Sequence, residues 1–233
     1  MRKHVVCSAL LGALLLAPSA ARAVPISGSA GLNGLGSFTG TFDYTPDAVL
    51  DTIGTITIVL NNTSPLFDGF LTGFVFNLPD GVTVTAASLN TPPTSDPDFA
   101  PLGALTFNNN VNGAPFGHFD IGAAVGGNFQ GGGNPSDGIA AGSSGTFQFA
   151  LIGEGLLGVT SADFLSSLSV PPGAGEGLTP FEVRFRGFVR ELETEPDSDH
   201  VPLDTPIPEP GTLILVSLGL ATLSARRLHS RKH

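Results

Sequence analysis

Apolar and polar side chains alternate along much of the middle of the chain, which is the two-residue period of a half-buried β-strand. The strongest example covers residues 49–60, where isoleucines and a leucine alternate with Thr55 and Thr57. β-Branched residues of this kind favour extended structure. Weaker runs of the same character lie at residues 37–42, 70–78, 82–89, 102–107, 116–124, 146–151 and 181–189. The pattern predicts about eight short strands.

A single stretch, residues 160–168, has the pattern of a helix. Thr160 or Ser161 can cap its first amides, Asp163 suits its positive end, and the proline pair at 171–172 ends it. Short strands separated by loops rich in glycine, proline and asparagine, with so little helix, predict an all-β body. We expect an antiparallel β-sandwich or jelly roll over residues 24–190.

The front of the chain reads as a secretory signal peptide. A basic start at residues 2–4 is followed by an apolar stretch at residues 5–17 and by the small-x-small pair Ala21 and Ala23. Cleavage after Ala23 would remove residues 1–23 and with them Cys7, the single cysteine. We therefore expect an exported body without disulfides, thiolate nucleophiles or zinc-thiolate sites.

The last 28 residues, 206–233, have three parts. Prolines at 206, 208 and 210 prevent a helix from continuing out of the body, and an uncharged apolar run follows. As a helix, the run predicts a short transmembrane segment at about 211–225, since its fourteen core residues span roughly 21 Å against about 30 Å of hydrocarbon. The tail 226–233 contributes four cations that favour a cytoplasmic C-terminus: Arg226, Arg227, Arg231 and Lys232. The acidic, proline-bearing segment 191–205 is interpreted as a linker.

Pro208, Glu209 and Pro210, placed before a short apolar helix and an arginine-rich tail, resemble the PEP-CTERM sorting signal of Gram-negative bacteria. The resemblance implies recognition by an exosortase, a membrane cysteine peptidase. It also implies an inner-membrane intermediate, followed by delivery to the cell surface or the extracellular matrix. Names of such tails sometimes mention ice binding because certain ice-binding proteins carry one. The likeness covers only about residues 205–233, so it indicates a destination and no ligand.

The distribution of charge along the chain limits the kinds of partner that the protein can bind. Of 20 acidic residues, 19 lie between residues 24 and 204, together with only three of the ten basic ones, which gives this body a formal charge of −16. Such a surface repels nucleic acid and anionic headgroups. We expect no nucleic-acid partner, and membrane contact only through the C-terminal helix. Cations and neutral polymers remain compatible partners.

Candidate chemistry is sparse. Asp96, Asp98 and Asp137 lie in loops whose oxygen ligands would suit calcium, although aspartate beside glycine or proline is also ordinary turn chemistry. The pair His118 and Asp120 lacks further metal ligands nearby. No Gly-x-Ser-x-Gly elbow is present and no carboxylate pair is singled out. We expect no enzyme activity and no cofactor, with calcium as the open exception.

The strand at 181–189 alternates so that Glu182, Arg184 and Arg186 face away from its apolar residues. These arginines could recognise an anionic glycan or could pair with neighbouring glutamates. The function indicated is an exported structural or adhesive protein of an exopolysaccharide matrix or biofilm. The alternatives are a carbohydrate-binding or ice-binding module on the same β scaffold and, behind these, a secreted hydrolase. With no tryptophan and Tyr44 as its one tyrosine, the chain is poorly equipped to stack on sugars.

Overall fold

The structure is a computed structural model that describes residues 23–29, 31–65, 69–90, 99–103, 110–189 and 197–204. The signal peptide before Ala23 and the segment 206–233 therefore lie outside the described residues, as does the predicted transmembrane segment. In the described ranges no helix is long and apolar enough to cross a membrane.

Two five-stranded antiparallel sheets make up the body. The first has the strand order β1-β2-β3-β10-β5 and the second β12-β11-β4-β9-β6, while β7 and β8 form a separate short pair. The strands are β1 Val24–Gly28, β2 Phe38–Pro46, β3 Ile53–Asn62, β4 Phe70–Phe76, β5 Thr83–Asn90, β6 Phe99–Leu102, β7 Val111–Asn112, β8 His118–Phe119, β9 Ile121–Val125, β10 Ser144–Glu154, β11 Phe181–Arg186 and β12 Ser198–Pro202. The predicted all-β, antiparallel architecture is confirmed.

Phenylalanine side chains from both sheets fill the space between them. Phe42 of β2 meets Phe76 of β4 edge to face with ring centroids 5.5 Å apart, and Phe38 meets Phe181 at 6.0 Å. The alternation that predicts β3 holds in three dimensions, because its isoleucines at 56 and 58 are fully buried. Burial of large aromatic side chains supplies most of the driving force for this packing.

The one α-helix, α1, is shorter than predicted and spans Ser161–Phe164. The backbone amide and the hydroxyl of Thr160 both donate to the carboxylate of Asp163, at 2.7 Å each. Phe164 is fully buried against Phe42 and Tyr44, so α1 packs against the core. The predicted start of the helix and the position of Asp163 in its first turn are confirmed, whereas the helix ends after one turn instead of reaching residue 168.

The predicted linker 191–205 is wrong for its described part. Residues 198–202 form β12, which pairs with β11 and is the edge strand of the second sheet. Asp199 and Val201 are fully buried. The carboxylate of Asp199 accepts four backbone N–H groups, from Asn33, Leu35, Gly36 and His200, at 2.8–3.0 Å. Because these four amides satisfy the buried carboxylate, an acidic segment can form part of the fold.

A second, smaller apolar cluster covers the outer face of the second sheet. It joins Val75 of β4 to Phe116, Phe119 and Phe129, which come from the segments above the sheet. The glycine-rich stretch 126–138 closes over this face, with Phe129 only 3% exposed. The two sheets thus differ on their outer sides.

Candidate functional site

A charged cluster lies buried on the covered face of the second sheet. Glu182 of β11 is fully buried, and its Oε1 is 2.5 Å from Nδ1 of His200 on β12. Burial raises the pKa of the Glu182 carboxyl well above its usual value of 4.5, partly opposed by Arg184, and burial lowers the pKa of His200 to about 4. Both shifts favour the neutral forms of the two groups.

The neighbouring arginines hold the covering loop in place. Arg184 donates to the carbonyl oxygen of Phe129 at 2.8 Å, and Arg186 donates to that of Gly132 at 2.5 Å. Burial lowers the pKa of Arg184 as well. At Gly113 a Cβ atom would overlap the ring of Phe119 and lie against Oε2 of Glu182, so only glycine allows this close approach.

This cluster is closed to ligands. Glu182 lies on the side of β11 away from its apolar residues, as predicted, but it does not reach solvent, because the stretches around residues 113–119 and 126–132 lie over it. Glu182 Oε2 and Arg184 Nε are buried and have no hydrogen-bond partner among the described residues. Arg190, the third arginine considered for glycan recognition, lies outside them. The described arginines thus bind the protein's own loop, which is a structural role.

Among the described residues, no segment lies over the outer face of the first sheet, whose side chains are exposed or half-buried and have a different composition. The register places side chains in rows across the strands, and we call this surface the threonine face. Its rows are Ser27-Thr39-Asn61-Ser144, Pro25-Thr41-Val59-Thr146, Asp43-Thr57-Gln148-Asn90 and Thr45-Thr55-Ala150-Ser88. Neighbouring strands are about 4.8 Å apart and successive outward side chains about 6.7 Å apart along a strand, so the rows form a two-dimensional array.

The threonine face is almost free of charge. Asp43 is the one ionisable side chain within these rows, in a body whose formal charge is −16. Hydroxyls and amides supply both hydrogen-bond donors and acceptors, and threonine methyl groups add small apolar contacts. Asn61 and Thr39 already interact across the strands, with Nδ2 donating to Oγ1 at 3.3 Å. The face therefore suits an uncharged partner that offers hydroxyl groups.

A polar cleft of about 630 Å³ lies where β4 ends, beside the segment 158–170. Asn77 and Asp120 are buried in its wall, and Asp163 contributes another carboxylate. These groups have local roles, because Asp120 accepts from the Leu78 amide at 2.9 Å and Asp163 caps α1. The Oδ1 atom of Asn77 is itself enclosed. The cleft is thus a less accessible candidate than the threonine face.

The structure gives no geometry for a calcium site. Asp137 belongs to a 3-10 turn, Pro135–Asp137, that begins with Asn134 accepting the Ser136 amide at 3.3 Å. Asp96 and Asp98 lie outside the described residues. Within the described ranges, no three histidine, cysteine, aspartate or glutamate side chains are grouped so that they could hold a metal ion. Turn formation accounts for the asparagine and aspartate around Pro135.

Tyr44 is not a sugar-stacking residue. It is 1% exposed, its ring lies 4.9 Å from that of Phe164, and its hydroxyl donates to the carbonyl oxygen of Leu156 at 2.5 Å. Any carbohydrate contact would therefore rely on hydroxyl, amide and methyl groups. The threonine face becomes visible only from the register in which the strands pair, and that register cannot be read from the linear sequence.

The described part of the chain is an antiparallel β-sheet body, and the outer face of its first sheet carries Asp43 as the one ionisable side chain within the rows. The chain also carries a PEP-CTERM protein-sorting motif at residues 206–228, which confirms the resemblance and implies an exported protein that an exosortase sorts to the cell surface. The match includes Pro208, Glu209 and Pro210. Neither a curated protein nor a solved structure shows significant similarity to this chain.

Proposed function

We propose that this exosortase-sorted protein is a non-enzymatic adhesive component of the cell surface or the exopolysaccharide matrix, and that the threonine face is its contact surface. The observation that carries the proposal is the array of threonine, serine, asparagine and glutamine side chains on the outer face of the first sheet, across its five strands. The partner that fits it is a neutral polysaccharide rich in hydroxyl groups.

Three physical features support this partner. The array can donate and accept hydrogen bonds at regular spacing, as sugar hydroxyls do. Its β-branched side chains have few rotamers, so little side-chain entropy is lost on binding. The anionic remainder of the body repels anionic polymers, which leaves neutral ones. Each contact is weak, and retention in a matrix comes from many copies binding one polymer.

Ice binding is the second candidate, and the same face favours it. Thr45 and Thr55 are direct cross-strand neighbours, and Thr55 and Thr57 follow each other on the same face of β3, so hydroxyl and methyl groups recur across and along the strands. Thermal hysteresis of the purified protein would support ice as the partner. Its absence, together with polysaccharide binding, would support the first candidate.

The proposal is tested by co-sedimentation of the exported protein with insoluble neutral polysaccharides, with an anionic polysaccharide alongside. Thr55→Glu places a charge in the middle of the face, and Ser136→Glu places the same charge on an exposed position near the second sheet. We expect Thr55→Glu to lose binding and Ser136→Glu to keep it. Equal binding by both variants would exclude the threonine face as the contact surface.

The non-enzymatic part of the proposal has its own test. The exported protein should release no reducing ends from the polysaccharide it binds during prolonged incubation. Release that survives further purification, and that is lost in an Asp120→Asn or Asp163→Asn variant, would instead support a hydrolase whose carboxylates lie in the polar cleft.

A further inference from the structure

The last strand of the body determines how far the sorting motif lies from the folded protein. Residues 203 and 204 continue the pairing beyond β12, with the Leu203 amide donating to the Phe181 carbonyl oxygen at 2.9 Å and the Asp204 amide donating to that of Ser27 at 2.8 Å. The Asp204 carboxylate also accepts from the Ser29 amide at 3.3 Å. The chain is thus fixed to the body as far as Asp204.

Only a few residues remain between that point and the motif. Four residue steps separate Asp204 from Pro208, and a fully extended chain covers at most about 14 Å in that number. The interpretation of residues 191–205 as a free linker would have allowed about 60 Å between Arg190 and Pro208. The greatest distance possible between the folded body and the motif is therefore shorter by roughly a factor of four than a free linker would allow.

β12 does not supply extra chain by detaching from the sheet, since several groups hold it. The buried Asp199 carboxylate satisfies four backbone amides, and His200 is bound to Glu182 beneath the covering loop. Releasing the strand would leave these buried donors and acceptors without partners, which is expensive. The distance between the body and the motif is therefore a stable property of the folded protein.

We infer that the sorting peptidase meets this protein as a folded body and contacts one defined edge of it. That edge, which we call the tether edge, consists of Ser27, Ser29, Leu203 and Asp204. It lies where β1, at one margin of the first sheet, meets β12, at one margin of the second. The margin formed by β5, on the far side of the first sheet, faces away from the peptidase. This inference rests on the sorting motif and is independent of the proposed adhesive role.

The experiment is site-specific photocrosslinking of the full-length precursor in membranes that contain the peptidase. Ser29→Cys and Ser88→Cys, each in a Cys7→Ser background, carry the same short thiol-linked photoprobe. Both serines are exposed, but Ser88 lies on β5. A probe at Thr205→Cys, next to the motif, is the positive control. We expect a crosslink to the peptidase from position 29 and none from position 88.

A second variant tests whether the short tether is the cause. Twelve glycine and serine residues inserted after Asp204 lengthen the span to the motif from four residues to sixteen. Effective concentration falls with about the −3/2 power of length, so the crosslink from position 29 should drop about eightfold while processing continues. Three results would each overturn the inference. The first is equal crosslinking from positions 29 and 88, and the second is no crosslink from position 29 when position 205 crosslinks. The third is a crosslink from position 29 that does not decrease after the insertion.

Discussion

The outer faces of the two sheets are built from the same kind of alternating strand, yet they differ in whether loops cover them. On the second sheet, Glu182 and Arg184 point outward and are covered by loops that pack through Phe129. On the first sheet, Thr55 and Thr57 point outward and stay in contact with solvent. On the second sheet these charged side chains are covered, whereas the rows of the threonine face contain Asp43 as their one ionisable side chain.

We therefore expect the covered face to serve the structure of the protein and the threonine face to serve its function. A covered face with a hydrogen-bonded glutamate-histidine pair fixes the position of loops and of the last strand. An uncovered face without charge contributes little to folding, and its composition is free to serve a partner. Changes on the covered face should consequently affect stability, whereas changes on the threonine face should affect binding.

The largest expected effect on stability comes from Glu182→Ala. The substitution removes the partner of His200 and opens a cavity beneath Gly113, and we expect the free energy of unfolding to fall by about 3 kcal/mol. Gln148→Ala, on an exposed position of the threonine face, is the comparison and should change it by less than about 0.5 kcal/mol. Urea denaturation of the two variants measures both values. Similar losses would contradict the division between the faces.

The pH dependence of stability should separate the two members of the buried pair. In E182Q, His200 titrates alone. Its pKa is lowered from 6.5 to about 4 on folding, so its contribution is complete above pH 6.5 and is lost as the pH falls towards 4. The shift corresponds to roughly 3 kcal/mol.

The opposite slope is expected for H200Q, in which Glu182 titrates alone. Its pKa is raised on folding, so its contribution is complete below about pH 4.5 and is lost as the pH rises through the folded value. In the unmodified protein the two slopes have opposite signs above pH 4.5 and oppose each other. Denaturant unfolding at several pH values measures all three profiles. Parallel profiles for E182Q and the unmodified protein would show that the pair is not neutral.

A smaller effect is expected from Thr57→Val, which keeps the shape of the threonine side chain and removes its hydroxyl. Because this position is half-buried on an open sheet face, the free energy of unfolding should change by less than about 0.5 kcal/mol. Affinity for the neutral polysaccharide should nevertheless fall, since one hydrogen-bonding group of the array is lost. Unchanged affinity would indicate that the face binds through its methyl groups alone.

The smallest expected effect is that of calcium. We expect millimolar calcium to leave the melting temperature unchanged, because the described Asp137 belongs to a turn satisfied by its own backbone. A saturable rise of several degrees would demonstrate binding to the folded state. Asp96→Asn and Asp98→Asn would then show whether the loop outside the described residues supplies the ligands.

Local alternation predicted the strands well, and the reason is physical. Ile56, Ile58 and Leu60 must leave water together, and a period of two places them on one face. The same rule correctly put Glu182 on the opposite side of β11 from Phe181. It could not show that another part of the chain would cover that side, because Phe129 lies more than fifty residues away in the sequence.

The last strand and the threonine face were missed for related reasons. Residues 198–202 belong to the acidic stretch 191–205, whose composition is typical of a linker, and their burial depends on amides contributed by residues 33–36. The rows of the threonine face join β1, β2, β3, β10 and β5, whose alignment follows from long-range pairing. The sorting motif, in contrast, was predictable because its chemistry is contained in one continuous segment.

The most direct test of the account is where the protein is found in cells that secrete their own matrix. Fractionation into membrane, surface, matrix and medium should place the unmodified protein and Ser136→Glu in the surface and matrix fractions. Thr55→Glu should be processed normally, as intact mass would show, but should escape into the medium. If Thr55→Glu stays in the matrix as fully as the unmodified protein, the threonine face is not what holds this protein there.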